Sequence, residues 1–382
     1  MTIALTSELG GTSPSIAVDQ RNSSRVSKRV YGIAVQWADL RHALVGVLRA
    51  SLKKAVARPC SVLFPRLSDW MRAIRRVYWV YHQRHGFYPN LIFPSRYTEK
   101  IQWRKLFDLD PLLPVLCDKL AVRDFVSERI GEEFLVPLLW TGNDAEALPL
   151  ERLPAPYIIK STHSTAHAIL VREGDAPNFA KIRETASAWL ETCHGTTLDE
   201  IGYVTVPPRV IVEKLLLRDD GAPPRELKVF VFHGVAKLIQ NVFICGPERT
   251  AMASYHLLDW TRLAWKSAHP PPEPVCPPRR LDEMVRMAER LVAGLDHARV
   301  DMYECDDAIF VGEITVYSHS GLHRFEPECA DYLLGSHWNL RPSRMRALCT
   351  ILTKHRRIAQ HNHLPRAMPS PMSQCSLDKN IF

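Results

Sequence analysis

The stretch Arg299-Val300-Asp301-Met302-Tyr303, followed after Cys305-Asp306-Asp307-Ala308 by Phe310-Val311-Gly312-Glu313-Ile314-Thr315-Val316, reads as a β-hairpin. Both runs alternate apolar and polar side chains, the two-residue period of a strand with one buried face. A three-residue loop at 306–308 sets Asp301 opposite Glu313 and Arg299 opposite Thr315. Val300, Met302, Phe310, Ile314 and Val316 then share the other, core-facing side. Two carboxylates side by side on rigid strands repel each other, and an arginine with a bound Mg²⁺ keeps both ionised. A half-buried hairpin carrying a surface ion pair fits the same residues.

The chain has 382 residues, 46% apolar and 24% charged, a globular composition too long for one ordinary core. Two or three packed lobes are expected. No run of about 18 uncharged apolar residues is present to span a membrane. The first twenty residues lack the basic start and apolar core of a secretory signal, so the expected location is cytoplasmic. Nine cysteines without a C-x-x-C pair suit reduced thiols better than a disulfide frame or zinc knuckle.

Charge is concentrated near the start. Between residues 21 and 58 stand nine Lys/Arg and one acid, Asp39, so this segment alone matches the whole-chain excess of +8. Ile33, Trp37, Leu40, Leu44, Val47, Leu48, Leu52 and Val56 recur there at helical spacing, opposite Arg41, Arg49 and Lys53. Residues 31–58 thus read as a basic amphipathic helix, suited to peripheral contact with the inner face of a membrane or to docking on its own protein. Aromatic residues are not interleaved with the basic ones, which argues against nucleic acid.

The organisation expected along the chain is a Ser/Thr/Gly-rich disordered segment at 1–30, a basic helical segment at 31–66 and a helical region at 67–135. A first lobe follows at 136–208, a second at 209–335, and a C-terminal helix with a Pro/Ser-rich tail at 336–382. Helices are expected at 118–130, 179–192 and 281–295, and strands at 157–160, 168–171, 209–213, 227–232 and 237–243. The stripe Leu281, Met284, Val285, Ala288, Leu291, Val292, Leu295 marks a helix packed on a core, after a proline-rich linker at 270–278. Antiparallel hairpins in irregular alternation with helices indicate an α+β class.

Several residues upstream have the chemistry of a polyphosphate site. Lys160 ends the apolar strand Pro156-Tyr157-Ile158-Ile159-Lys160, where its ammonium emerges at a lobe edge or on plain surface. The loop 161–167 after it is polar and lacks the glycines that let backbone N–H groups approach phosphate. Glu213, Lys214, Leu215 and Leu216 continue a strand that can bridge two lobes and offer its backbone to an adenine edge. Glu226 and Lys228 share one strand face.

With Asp118-Lys119-Leu120-Ala121-Val122-Arg123, Tyr97-Thr98-Glu99-Lys100-Ile101-Gln102-Trp103 and Gly312-Glu313-Ile314-Thr315-Val316-Tyr317 added in order, the chain resembles the TupA-like branch of the ATP-grasp superfamily across residues 97–325. The resemblance implies two α/β lobes with antiparallel sheets gripping ATP. It implies that Lys119 and Lys160 contact phosphates, Glu213 with Lys214, Leu215 and Leu216 forms the adenine linker, and Glu226 and Lys228 face ribose or phosphate. Asp301, Glu313 and Thr315 are the implied Mg²⁺ ligands, with Arg299 and Lys160 catalytic. His163, His319, Ser320 and Gly321 are the implied substrate-side residues. The implied reaction is ATP- and Mg²⁺-dependent ligation of a carboxylated sugar or amino acid to an amine through an acyl-phosphate, in cell-surface polysaccharide biosynthesis. Two departures stand out: the loop 161–167 has lost both glycines usual in this branch, and Arg249 alone stands where an Arg/His-rich segment is usual.

Two rival readings remain. Asp108-Leu109-Asp110 is a D-x-D of the kind sugar-nucleotide glycosyltransferases use, or a helix-end turn before Pro111. The missing glycines fit a non-catalytic relative that binds nucleotide or a membrane. His163/His167 and His319/His323 have zinc spacing but fall in loops without a third ligand.

Overall fold

Two antiparallel sheets dominate the computed structural model, which describes residues 65–165, 167–192, 195, 198–245, 250–271 and 274–340. The described residues from Ala73 to Leu340 belong to one compact unit, and the preceding unit, Met1–Arg72, is described only from Pro65. The segment 1–30, the basic stretch 31–58, Arg249 and the tail beyond residue 340 lie outside the described residues.

The helices are α1 (Pro65–His85), α2 (Tyr97–Phe107), α3 (Leu112–Cys117), α4 (Ala121–Ile130), α5 (Phe179–Leu190), α6 (Ile201–Val204), α7 (Leu281–Val292) and α8 (Cys329–His337). Strands β1 (Leu138–Gly142), β2 (Tyr157–Ser161), β3 (Ala168–Val171) and β4 (Val210–Lys214) form a four-stranded sheet ordered β1-β4-β2-β3. Strands β5 (Arg225–Phe232), β6 (Val235–Cys245), β7 (Thr250–His256), β8 (Arg262–Leu263), β9 (His297–Cys305) and β10 (Ala308–Thr315) form a six-stranded sheet ordered β10-β9-β5-β6-β7-β8.

Alternation fixes the faces. In β2, Tyr157, Ile159 and Ser161 are buried while Ile158 and Lys160 are half-exposed. Tyr157 and Ile159 share a core with Ile182, Ala186 and Trp189 of α5. The reading at sequence level began the second lobe at residue 209, yet β4 sits in the first sheet between β1 and β2. Val210, Ile211 and Val212 are all buried, as a central strand covered on both faces requires.

In the larger sheet, Leu281, Met284, Met287, Ala288, Leu291 and Val292 of α7 are buried in one core with Val229, Val231, Val300 and Met302. The opposite face is half covered by aromatic rings: Tyr97 of α2 meets Phe230, Phe232 and His297 edge-on at 6.1, 6.2 and 5.2 Å. That cover ends before Lys228 and Asp301, one pair further along.

The expected helix 118–130 begins only at Ala121. Asp118 Oδ1 accepts from Leu120 N–H at 2.9 Å, and Lys119 N–H donates to Thr162 O at 3.2 Å, so residues 118–120 form a tethered turn. Asp108 and Asp110 prove to be turn residues: their carboxylates accept from Asp110 N–H at 3.2 Å and Leu112 N–H at 2.9 Å, and Arg104 lies 3.3 Å from Asp108. β1, β7, β8, α3 and α6 had no clear sequence signal, each being short or lacking sustained alternation.

Candidate functional site

The β9–β10 hairpin pairs Asp301 with Glu313 and Arg299 with Thr315, by a route other than the expected three-residue loop. Cys305 pairs with Ala308, so the turn is only Asp306-Asp307, with Asp306 at φ 51°. A shift between Val311 and Glu313 then inserts Gly312 as a bulge and restores the pairing. A Cβ at Gly312 would lie 2.7 Å from the Tyr303 ring and 3.2 Å from Asp301 O, so only glycine fits. Before the bulge the faces are reversed. Ile309 and Val311 are buried, and Phe310, expected in the core, pairs with Tyr303 on the polar face.

Lys228 of β5 sits opposite Asp301, placing Lys228, Asp301 and Glu313 in one row across three strands. Arg299 holds both Asp301 oxygens at 2.6 Å, and donates to Ser318 Oγ at 2.8 Å and Thr315 Oγ1 at 3.2 Å. Lys228 bridges Asp301 Oδ2 and Glu226 Oε1, each at 2.8 Å. Thr315 Oγ1 donates to Glu313 Oε1 at 2.6 Å. Burial by itself would raise the Asp301 carboxyl, but Arg299 and Lys228 outweigh it and hold it below the ordinary range. Glu226 goes the other way: burial raises it against the pull of Lys228.

The four-stranded sheet contributes a second charged group. Glu213 accepts from Arg123 at 2.8 Å and from Lys160 at 2.9 Å. Its side chain thus binds one cation from α4 and one from β2. Arg123 had been given no role, although it closes one of the phrases that carried the resemblance. Lys119, Arg123, Lys160 and Glu213 line a narrow cleft together with Gly312 and Glu313, which brings the charged residues of both sheets to one place. Burial lowers the Lys119 ammonium, with Glu313 opposing.

Beside that cleft lies an apolar slot of about 150 Å³, lined by Ile158, Leu215, Leu216, Leu217 and Tyr303 with Lys160 and Lys214 at its edge. The N–H groups of Lys214 and Leu215 donate to Pro137 O and Pro156 O at 2.9 and 3.1 Å.

The glycine-poor loop after β2 is tucked inward. Residues Ser161, Thr162, His163 and Ser164 are buried; Thr162 N–H donates to Arg209 O at 2.9 Å, and Lys119 Nζ donates to Ser164 O. His163, expected on the substrate side, is only 2% exposed and its Nε2 lies 3.0 Å from Trp189 O. His167 stacks on Trp189 at 5.0 Å, so the pair is structural.

On the far side of Arg299, His319, Ser320 and Gly321 adopt left-handed φ of 47°, 56° and 66° in succession. Two side chains of α2 hold this turn: Gln102 Nε2 donates to Ser320 O at 2.8 Å, and Lys105 Nζ donates to the same oxygen at 2.7 Å. A Cβ at Gly321 would lie 2.5 Å from Gln102 Nε2. Burial lowers Lys105 to about 8 although Glu200 and Asp199 pull upward.

Among the described residues, no group of three or more His, Cys, Asp or Glu is arranged to hold a metal. Asp301 and Glu313 are a pair. A pair still suits Mg²⁺, which keeps several waters and takes its remaining ligands from substrate phosphates.

Two antiparallel sheets meeting at a cleft of lysines, arginines and carboxylates, with an apolar slot beside it, form an α+β architecture of the ATP-grasp class. The chain belongs to the TupA-like ATPgrasp family, whose model matches residues 99–339. No curated protein matches it. Among solved structures it is similar to the ATP-grasp ligase PsnB complexed with a phosphomimetic variant of its minimal precursor, Mg and ADP. That match has 14% identity and a TM-score of 0.34, over 59% of this chain and 60% of that one. It is also similar to D-alanine–D-alanine ligase from Bacillus anthracis complexed with ATP, at 13% identity and a TM-score of 0.37, over 65% and 69% of the two chains. The Helicobacter pylori D-alanine–D-alanine ligase matches at 12% identity and a TM-score of 0.34, over 60% of each chain. The chain thus spans less than two thirds of the length of PsnB. No described helix is long and apolar enough to cross a membrane.

Proposed function

We propose that the protein is an ATP- and Mg²⁺-dependent ligase that joins a carboxylated sugar or amino acid to an amine in cell-surface polysaccharide biosynthesis, working at the cytoplasmic side. The observation that carries this reading is the row Lys228-Asp301-Glu313 with Arg299 behind it, facing the cluster Lys119, Arg123, Lys160 and Glu213. Five cations and four carboxylates, Glu226 included, leave the cleft close to neutral. Asp301 and Glu313 would hold Mg²⁺, which when bound neutralises phosphate charge and makes the site attractive to a polyanion.

The base would enter the apolar slot against Leu216 and Tyr303. Because the Lys214 and Leu215 N–H groups are already engaged, the backbone of Leu216 is left to meet its polar edge. Lys119 and Lys160 would grip the phosphates, and Glu226 with Lys228 the ribose side. Arg299 has five N–H groups and uses four on Asp301, Ser318 and Thr315, which leaves one Nη1 N–H for the transferring group. A substrate carboxylate oxygen attacks the γ-phosphorus and ADP leaves, giving an acyl-phosphate. The amine nitrogen then attacks the acyl carbon, phosphate departs, and the nitrogen gives up a proton. The chain's part is positioning and charge stabilisation, with no protein nucleophile. The turn at His319 would face the acceptor.

The test is calorimetric titration of the purified protein with Mg²⁺ and a non-hydrolysable ATP analogue, followed by ADP release against a panel of carboxylates and amines. Tight binding abolished by Asp301→Asn, with acceptor-dependent ADP release, supports the ligase. UDP release from a UDP-sugar instead overturns it in favour of glycosyl transfer. Nucleotide binding without turnover for any acceptor pair marks a non-catalytic relative, the reading that the tucked loop at Ser164 favours.

A further inference from the structure

The loop between α1 and α2, Pro89-Asn90-Leu91-Ile92-Phe93-Pro94, ends in two large apolar side chains that face solvent: Ile92 is 78% exposed and Phe93 79%. Its backbone is unusual for a surface loop, because the N–H groups of Asn90 and of both tip residues, Ile92 and Phe93, have partners inside the protein. Asn90 N–H donates to Glu99 Oε1 at 2.8 Å. Ile92 and Phe93 N–H both donate to Asn90 Oδ1, at 3.2 and 3.0 Å. Pro89 and Pro94 have no N–H, and the next two donors, Ser95 and Arg96, go to Glu99 Oε2 at 3.0 and 3.1 Å.

Surface loops normally leave such donors to water, and stripping that water without a replacement costs free energy. Here the tip can lose its water with its donors already satisfied, while two apolar side chains gain a dry environment. Leu91 is buried beneath, so the tip is held in place before it binds anything.

The surroundings indicate what the tip meets. Tyr88 packs on His82 at 4.4 Å, and Trp79 lies three residues before His82 on the same helix face; Trp79 and Tyr88 are both 64% exposed. Arg75, one turn before Trp79 on that face, is exposed, and no Asp or Glu occurs between residues 70 and 98. The acids that reach this region are engaged: Asp199 with Arg76, Glu99 with the loop itself, Glu328 with Arg96, Asp331 with Thr98 and Glu326 with Lys266. Apolar tip, amphipathic aromatic flank and the unopposed charge of Arg75 together match an anionic lipid surface.

We propose that residues 88–93, with Trp79 and Arg75, are a docking surface for an anionic membrane, into whose headgroup boundary Ile92 and Phe93 insert. The inference stands apart from the ligase reading and from the basic stretch 31–58. Its test is co-sedimentation of the full-length chain with phosphatidylglycerol–phosphatidylcholine vesicles and with phosphatidylcholine alone. The expected result is binding to the anionic vesicles, weakened at least about tenfold by the double substitution Ile92→Ser, Phe93→Ser, with an unchanged melting temperature. Asn90→Ala, which frees two tip donors and keeps both apolar side chains, weakens binding several-fold. Equal binding by the native chain and the double variant overturns the proposal, as does failure of the native chain to bind either vesicle. A change of mass by light scattering in the double variant would overturn it too, with a second copy of the chain as the occupant.

Discussion

Asp301 faces Glu313 across the hairpin because a two-residue turn and a one-residue bulge at Gly312 cancel each other. Without the bulge, Asp301 would oppose Gly312 and Glu313 would point into the core. The bulge therefore decides whether two carboxylates converge.

Gly312→Ala tests this directly. A methyl group would meet the Tyr303 ring and Asp301 O, so the gain from a stiffer strand is overridden by a clash costing about 1–3 kcal/mol. Urea unfolding should show that loss, and calorimetry a marked fall in affinity for the Mg²⁺-bound ATP analogue. Native affinity in the variant would contradict the role given to the bulge.

Arg299→Met should be far more damaging. Asp301 is almost wholly buried, and removing its bidentate partner leaves a carboxylate matched by Lys228 alone. Breaking a buried pair in this way costs about 3–5 kcal/mol. Arg299→Met combined with Asp301→Asn should recover much of that stability in denaturant titrations without recovering nucleotide binding.

His297 imposes a pH dependence. Its ring is buried, Nδ1 lies 2.8 Å from Val231 O and Nε2 2.9 Å from the Tyr97 hydroxyl, so it is neutral with the proton on Nδ1. Burial and the nearby Arg104 lower it to about 3. The unfolded chain protonates this histidine near pH 6.5 and the folded one does not, so its contribution is complete above pH 6.5 and declines as pH falls toward 3. Unfolding free energies measured from pH 7.5 to 5 should therefore fall, and His297→Gln should reduce that slope by about 1.4 kcal/mol per pH unit below pH 6.5. An unchanged slope would show that the imidazole is not held neutral.

Leu216→Trp should fill the slot beside Lys160. Leu216 is half-buried at its wall, so stability should move by less than about 1 kcal/mol while affinity for the ATP analogue falls at least about tenfold. Unchanged affinity would mean that the base lies elsewhere.

Much of this was legible in the chain because it depends on short-range periodicity. The alternation at Val300, Met302, Ile314 and Val316 fixes one buried face, and the stripe from Leu281 to Val292 fixes the helix that covers it. The pairing of Asp301 with Glu313 was right for an incomplete reason, since the loop length was off by one and the bulge made up the difference. Phe310 exposes the error, lying between turn and bulge where the faces are reversed. The turn at Asp118-Lys119-Leu120 was missed because its tether, Thr162, is distant in sequence.

The sequence by itself determined the α+β class, strands β2 to β6 with the β9–β10 hairpin, and the order of charged residues that marks the family. Only the tertiary structure decided which charges meet: Glu213 with Arg123 and Lys160, Lys105 beneath Ser320, His163 against Trp189. The physical reason is one of range. Backbone periodicity is set by neighbours a few residues apart, whereas an ion pair depends on distances between elements that pack only after both have formed.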